Sequence, residues 1–293
     1  MKITLRQLQV FVAIAKYNHM SRAAESLYLS QSACSMALTT LERQLGCELF
    51  DRYNKKLVLN DPGRELFYKA INLLQQATEL VDSMQAKTKK SLSGSLNVGA
   101  STTIGNYILP VAAANFMNLH PQTRIFVKIA NTEEIIQRLL DFQIDIGFIE
   151  GDCYHHDLEI NPWRQDKLMI IAAPHHPLAS QEKVTLEILQ KQRWIFRELG
   201  SGTRQKFEEA IGRTITPFME LGHTEAIKQV VEAGIGVSCL SQAAVSKALK
   251  QRELVVIKTP FLKLTRNFYK IIHKQKYQTH LLAKFTEYLS RGH

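Results

Sequence analysis

Residues 21–52, SRAAESLYLSQSACSMALTTLERQLGCELFDR, decide what the first third of this chain is. RAAESLY reads as a short helix with Ser21 at its N-cap position and Glu25 shortly after. Tyr28 and Leu29 form a tight connection, Ser30 caps a longer helix, and Gly46 stops it as a C-terminal glycine does. Ahead of this stretch Leu5, Leu8, Phe11, Val12 and Ala15 recur at the step of an amphipathic helix. Helix, short helix, tight turn and longer helix is the order of a helix-turn-helix.

On the third helix Ala33, Ala37, Leu38, Leu41 and Leu45 are expected to point inward. That leaves Gln31, Ser32, Ser35, Met36 and Thr39 facing out near its N-terminal end. Short polar side chains there reach base edges in a major groove, while a helix N-terminus favours phosphate. A three-helix bundle with a solvated face has the same pattern, but ELFDR followed by YNKKLVLN adds a basic turn between two short strands, a wing. Arg52, Lys55 and Lys56 then lie along the phosphate backbone, and Ser21, Arg22 and Ser30 complete the candidate DNA-binding set.

LRQLQVFVAIAK, the stretch from Ser21 to Arg52 and the following LVLNDPG resemble the winged helix-turn-helix of LysR-type transcriptional regulators over residues 3–64. Asn18, His19 and Met20 stand where that family usually has Gly-Ser-Phe. Ser32 replaces a frequent proline and Met36 a frequent arginine. The resemblance implies an all-α winged helix-turn-helix head over residues 1–60 and a linker helix over 61–91 that pairs two chains. The residues agree, because Leu66, Ala70, Leu73, Ala77, Leu80 and Met84 step by four and three as a heptad seam does. Packing of that helix on its own head is the alternative. Lys87, Lys89, Lys90 and SLSGS mark its end.

Bulk properties fit a DNA-binding protein. The chain of 293 residues carries a formal net charge of +10, half of it in residues 1–90. An anionic partner is therefore plausible, though basicity alone does not establish one. No signal peptide and no membrane-spanning run is visible, so the expected location is cytoplasmic. Cys34, Cys47, Cys153 and Cys239 are widely spaced and read as free thiols.

From residue 95 the pattern changes to alternating strands and helices, with nearly all-apolar strands such as IDIGFIEG that belong in parallel α/β sheets. NYILPVAAANFMNLH reads as a helix, Asn131 caps the next, and two α/β halves suggest two lobes around a cleft. This region resembles the LysR effector domain, which is built like a small periplasmic binding protein. The implied domain covers 92–293, with lobe I at 92–163 and 267–293 and lobe II at 167–261. Crossings between lobes fall near Trp163–Asp166 and Leu262–Arg266. TEAIKQVVEAGIGVSCLS matches the family's helix–glycine–strand signature, with Ser241 in place of its usual proline and no functional meaning expected of the change.

Two turns are expected to face each other across the cleft. GASTTIGNY presents Ser101, Thr102 and Thr103; RELGSGTRQ presents Ser201, Gly202 and Thr203, flanked by Arg197 and Arg204. Helix N-termini with hydroxyls and free N–H groups seat an anion, and arginines clamp one. Taken alone, the first turn reads better as a simple N-cap and the second as a tight strand-to-helix connection; their joint occurrence at matching points favours a pocket. Glu150 ends a strand beside the first turn and orients an arginine or a ligand hydroxyl, or makes a hinge salt bridge. His155–His156 and His175–His176 are read as loop residues rather than metal ligands, because neighbours in a strand point to opposite faces and no carboxylate or thiol accompanies either pair at a convincing metal spacing. Trp163 lines the cleft or packs the hinge.

Within the family, STTIGNYILP, LDFQIDIGFIEG and RELGSGTR resemble a YeiE-like branch near regulators of sulfite reduction and of carbon fixation. That implies a small oxyanion such as sulfite or sulfate, or another small anionic metabolite, as effector, with no cofactor. Implied partners are double-stranded promoter DNA, a second copy (a homodimer through the linker helix, a homotetramer in the family's usual assembly) and, for an activator, RNA polymerase. An enzyme is disfavoured: GxxxxGK[ST] and a strand-borne GxGxxG are missing, and no catalytic triad or paired carboxylates stand out. The attached head and the lack of an export signal disfavour a transport protein.

Overall fold

The computed structural model describes residues 3–54, 56–86 and 92–291, the side chains of 82, 83, 85 and 86 excepted. It divides into two compact units: one of the residues up to 91 together with Gln275–His280, the other of Leu92–Lys274 with residues from Leu281 onward.

The first unit begins with α1 (Leu5–Tyr17), whose Thr4 hydroxyl accepts the Gln7 N–H while Gln7 Oε1 accepts the Thr4 N–H, a reciprocal cap. Next come α2 (Met20–Ser26) and α3 (Gln31–Leu45). The N-cap of α2 is His19 rather than Ser21. Helix α3 is closed as expected: Ser30 Oγ accepts the Ala33 N–H at 3.2 Å, and Gly46 takes φ 73°, a left-handed conformation cheap only for glycine. Its inward face is built on Cys34, Leu38 and Leu41; Ala33, Ala37 and Leu45 are only half-buried. The wing is an antiparallel hairpin of β1 (Phe50–Tyr53) and β2 (Lys56–Leu59), tied to the end of α1 by the Leu57 N–H donating to Asn18 O.

Helix α4 (Asp61–Ala86) starts on the head, where Phe67, Ala70 and Ile71 are buried and the Phe67 ring meets Phe11 edge-on at 6.4 Å. Further along, Leu73, Leu80, Val81 and Met84 are exposed. The heptad seam thus splits: its first turns pack on the head and its distal apolar positions stay open. Lys87, Lys89 and Lys90 lie outside the described residues.

The second unit opens with β3 (Ser93–Ser101), α5 (Thr102–Tyr107), α6 (Leu109–Leu119), β4 (Gln122–Ala130), α7 (Thr132–Leu140) and β5 (Ile146–Glu150). The single helix expected from NYILP is two helices, broken at Ile108 (φ −122°). Pro110 has no N–H to give the carbonyl four residues back, so it starts a helix rather than continuing one. Asn131 caps α7 through the Glu134 N–H, as its sequence suggested.

Strand β6 (Leu158–Ala172) is 15 residues long. After it come α8 (Leu186–Gln190), β7 (Ile195–Arg197), α9 (Gly202–Ile211), β8 (Met219–Leu221), α10 (Thr224–Glu232), β9 (Ser238–Ser241), α11 (Gln242–Gln251), β10 (Val255–Val256), β11 (Thr265–His273) and α12 (His280–Ser290). The seven-stranded sheet runs β10-β6-β11-β5-β3-β4, with β9 also on β6. β3, β4 and β5 are parallel, whereas β11 and β6 are antiparallel. From Leu158 to Lys167 strand β6 pairs with β11; from Leu168 onward it pairs with β9 and β10. One strand therefore carries the chain from lobe to lobe, and each lobe has its own core: Val98, Phe116, Phe148 and Phe285 in one, Trp194, Phe196, Phe207 and Ile170 in the other. Trp163 packs on Phe148 at 4.6 Å and donates Nε1–H to Leu289 O, so it belongs to the first lobe's core and not to a cleft wall.

Candidate nucleic-acid interface and effector cleft

At the head, Gln31, Ser32, Ser35, Met36 and Thr39 are all exposed on α3, as are Arg22, Ser30, Arg52 and Lys56. Lys55 lies outside the described residues. Ser21 is half-buried and donates its hydroxyl to Gln31 Oε1 at 2.9 Å, coupling the start of α2 to the first residue of α3. Ser30 and Ser32 hydroxyls lie 2.9 Å apart. Tyr28, unassigned from sequence beyond the turn, is 98% exposed at φ 55° just ahead of α3. Arg6 supports the same turn by donating to Leu27 O. The exposure of Tyr28 beside the start of α3 is invisible in the sequence.

In the second unit Ser101, Thr102, Thr103, Glu150, Arg197, Ser201, Thr203 and Arg204 are all buried. Glu150 is the hub. Its Oε1 accepts from the Ser101 hydroxyl (2.8 Å) and the Thr103 N–H (2.7 Å). Its Oε2 accepts from the Thr203 hydroxyl (2.9 Å) and lies 2.8 Å from Arg266 Nη1. Donors of both lobes, including members of both turns, thus converge on one internal carboxylate. Gly202 makes the approach possible, since a Cβ there would lie 2.0 Å from Glu150 O. Thr132 donates to the same carbonyl at 3.1 Å.

Arg266 escaped the sequence reading because nothing in KLTRNFYKIIH separates it from an ordinary strand cation. It bridges Glu150 to Asp166, with Nε 2.9 Å from Asp166 Oδ2. Nη2 is 2.8 Å from the same carboxylate but its N–H axes miss it, leaving an ionic contact without an aligned hydrogen bond. Ser241 donates to Asp166 at 2.7 Å and caps α11 through the Ala243 N–H. Ser241, expected to carry no functional meaning, thus has two structural tasks.

Arg197 pairs with Glu198 through Nε and Nη2 and reaches the first lobe by donating to the Thr102 hydroxyl at 3.0 Å; Nη1 meets Thr224 Oγ1 at 3.4 Å. Arg204 is buried, not solvent-facing, and its contacts to Glu208, Glu220 and Arg197 O all stay in the second lobe. Tyr107 donates to Glu225 across the lobes. Burial pushes the Tyr107 phenol up and the Glu225 carboxylate adds to this, keeping it a neutral donor.

Burial by itself raises the Glu150 carboxyl. Arg266 and the donors from Ser101, Thr103 and Thr203 outweigh that and hold it below the ordinary carboxylate value. A depressed native pKa contributes stability that is fully present above the unfolded value, about 4.3, and is lost as pH falls through the native value. The advantage of the wild type over Glu150→Gln in urea unfolding is therefore expected to shrink as pH drops below about 4.3. An advantage constant down to acid unfolding contradicts the assignment.

The four cysteines are free; burial raises the Cys34, Cys153 and Cys239 thiols, which favours their protonated form. His155 and His156 do not lie in a strand but in a turn, rings stacked at 4.7 Å. Among the described residues no helix is long and apolar enough to cross a membrane.

A winged helix-turn-helix in the same chain as a two-lobed α/β domain, whose lobes meet over buried polar groups, defines a class: regulators that couple a DNA-reading head to a ligand-binding module. The model of the bacterial regulatory helix-turn-helix protein, lysR family, matches residues 5–64, and that of the LysR substrate binding domain matches 89–293. The chain belongs to the LysR-type family of DNA-binding transcriptional regulators. It is 42% identical to the HTH-type transcriptional regulator YeiE of Escherichia coli over 98% of this chain and 97% of that one. To the RuBisCO operon transcriptional regulator of Allochromatium vinosum it is 32% identical, covering 99% and 96%. Among solved structures, a full-length OxyR variant from Pseudomonas aeruginosa superposes with TM-score 0.76 at 23% identity, over 99% and 94% of the two chains. The regulatory domain of Synechocystis CcmR, solved in complex with 2-PG, gives 0.62 at 28% identity over 68% of this chain and 97% of that one. Relatives across the full length are regulators, so the chain is a regulator and not an enzyme.

Proposed function

We propose that this regulator senses a small oxyanion at the seam between Ser101–Thr103 and Ser201–Thr203, and that sulfite or a related sulfur oxyanion is the class it takes. The carrying observation is Glu150: a buried carboxylate already receives donors from both lobes, which is the coordination an oxyanion needs. Two anions do not share those donors, so an effector has to take them from Glu150. It thereby binds an arrangement in which Glu150 has withdrawn better than the one in which it is engaged. Such unequal affinity is what shifts a two-state equilibrium. Arg197, already in contact with Thr102, is the second cation in reach, while Arg204 acts by bracing Arg197 O. The similarity to CysL of Bacillus subtilis, 31% identical over 94% of this chain, supports a regulator of that branch.

In the same reading the protein works in the cytoplasm on promoter DNA. The exposed Leu73, Leu80 and Met84 pair two copies, in a homodimer or as half of a homotetramer. Paired α3 helices then read an interrupted palindrome, with RNA polymerase as a further partner where the protein activates. A CbnR of the same fold solved with its target DNA supports this use of the head.

Thermal-shift titration of the full chain against sulfite, sulfate, thiosulfate, phosphate esters and small carboxylates tests the effector. A true ligand at a hundredfold its Kd stabilises by about 2.7 kcal/mol. A flat response to all of them removes the oxyanion reading. Gel shifts on upstream DNA test the head. Lys56→Glu is expected to reduce the slope of log K against log salt by about 0.9, one phosphate contact, without moving the anion-induced thermal shift. An unchanged slope takes the wing off the DNA.

A further inference from the structure

We propose that the turn His155–His156–Asp157 binds one divalent transition-metal ion, independently of the oxyanion seat. Consecutive histidines in a strand would diverge, but residues 152–157 are irregular and close in a turn before β6. The Leu158 N–H donates to His155 O at 3.2 Å, and the Asp157 N–H donates to His155 Nδ1 at 3.2 Å. The two imidazoles stack at an interplanar angle of 18°. His156 Nε2 is 2.9 Å from Asp157 Oδ2 and His155 Nδ1 is 4.0 Å from it. One ligand atom from each residue lies within 4.8 Å of the other two.

Around a tetrahedral ion with bonds of roughly 2.0–2.2 Å, neighbouring ligand atoms sit about 3.4 Å apart. The three groups need only side-chain rotation to close on such an ion. His155 exchanges the Asp157 N–H for the metal, or turns its ring to present Nε2. The backbone beneath them is held by the end of β11 and the residue that follows it. The Lys274 N–H donates to Asp157 O at 2.8 Å, Lys274 Nζ donates to His156 O at 2.6 Å, and His273 is in register with Leu158. A turn whose carbonyls are pinned this way loses little conformational freedom on binding. Two imidazoles and one carboxylate select zinc, nickel or copper over magnesium or calcium. His156 is 85% exposed, which leaves the ion open to water in its remaining position.

The other pair has no such company. His176 Nδ1 accepts the Leu178 N–H, and no acidic or thiol group joins His175 and His176 in a ligand cluster among the described residues. It therefore serves as the control.

The test is calorimetric titration of the full chain with zinc chloride near neutral pH, in a Cys47→Ser background because Cys47 is an exposed thiol. One equivalent is expected to bind. His156→Ala and Asp157→Asn should each weaken it roughly tenfold or more, and His175→Ala should leave it unchanged. Melting without metal checks that the variants fold, and His156→Gln replaces any that does not. No binding, or binding that survives both substitutions, overturns the site. Anion-induced thermal shifts should be the same with and without zinc, which separates this result from the fate of the oxyanion reading.

Discussion

Arg266→Ala is expected to destabilise the second unit by about 3–5 kcal/mol, the cost of leaving a buried ion pair without one partner. Here two carboxylates lose the same cation, since Arg266 lies within 2.8 Å of both Glu150 and Asp166, whose side chains are 2% and 5% exposed. The guanidinium also donates to Thr203 Oγ1 at 3.0 Å and sits over the Phe268 ring at 5.2 Å. Its planar fork does three things that an ammonium cannot do at once, so Arg266→Lys should recover only part of the loss. Urea unfolding of the full chain, followed by tryptophan fluorescence from Trp163 and Trp194, reads the effect. A loss under about 1 kcal/mol, the size of a surface pair, rules out the bridge described here.

Gly202→Ala is the second large effect. The added methyl would stand 2.0 Å from Glu150 O and 2.9 Å from Thr132 Oγ1, and a backbone carbonyl does not rotate away as a side chain does. The α9 turn has to retreat, carrying Thr203 off the Glu150 carboxylate. Overpacking of this kind costs about 1–3 kcal/mol. In the proposed mechanism it also abolishes the anion-induced thermal shift while gel-shift binding to DNA persists. Gly222→Ala, where a Cβ meets nothing within 4 Å, is the matched control and should change neither. A Gly202→Ala protein that melts like the wild type would mean that Gly202 does not pack against the Glu150 carbonyl.

Much of the local structure was legible from residue order. Ser30, Gly46 and Asn131 act where their local chemistry places them, because a cap is satisfied within one turn of chain. Local rules failed where a second segment intervened. Ser21 looks like an N-cap but spends its hydroxyl on Gln31, ten residues away. Pro110 splits NYILPVAAANFMNLH, a stretch whose spacing reads as one helix. The heptad seam is read correctly as apolar, yet only tertiary packing divides it into a part covered by the head and a part left exposed.

The effector cleft shows the same division. Hydroxyl and glycine turns were visible at Ser101–Thr103 and Ser201–Thr203 because helix N-termini carry a short-range composition signature. Their common partner was not. Glu150 ends an apolar strand, and Arg266 enters more than a hundred residues later on a strand paired antiparallel to it, with Phe268 opposite Glu150. Sequence alone determined the class of each element, the winged head and the α/β domain, since periodicity and caps are properties of neighbouring residues. The tertiary structure alone decided that one carboxylate and one guanidinium join the lobes at their seam. Charges that meet across distant strands leave no local pattern, and their strength comes from the burial that only the assembled fold supplies.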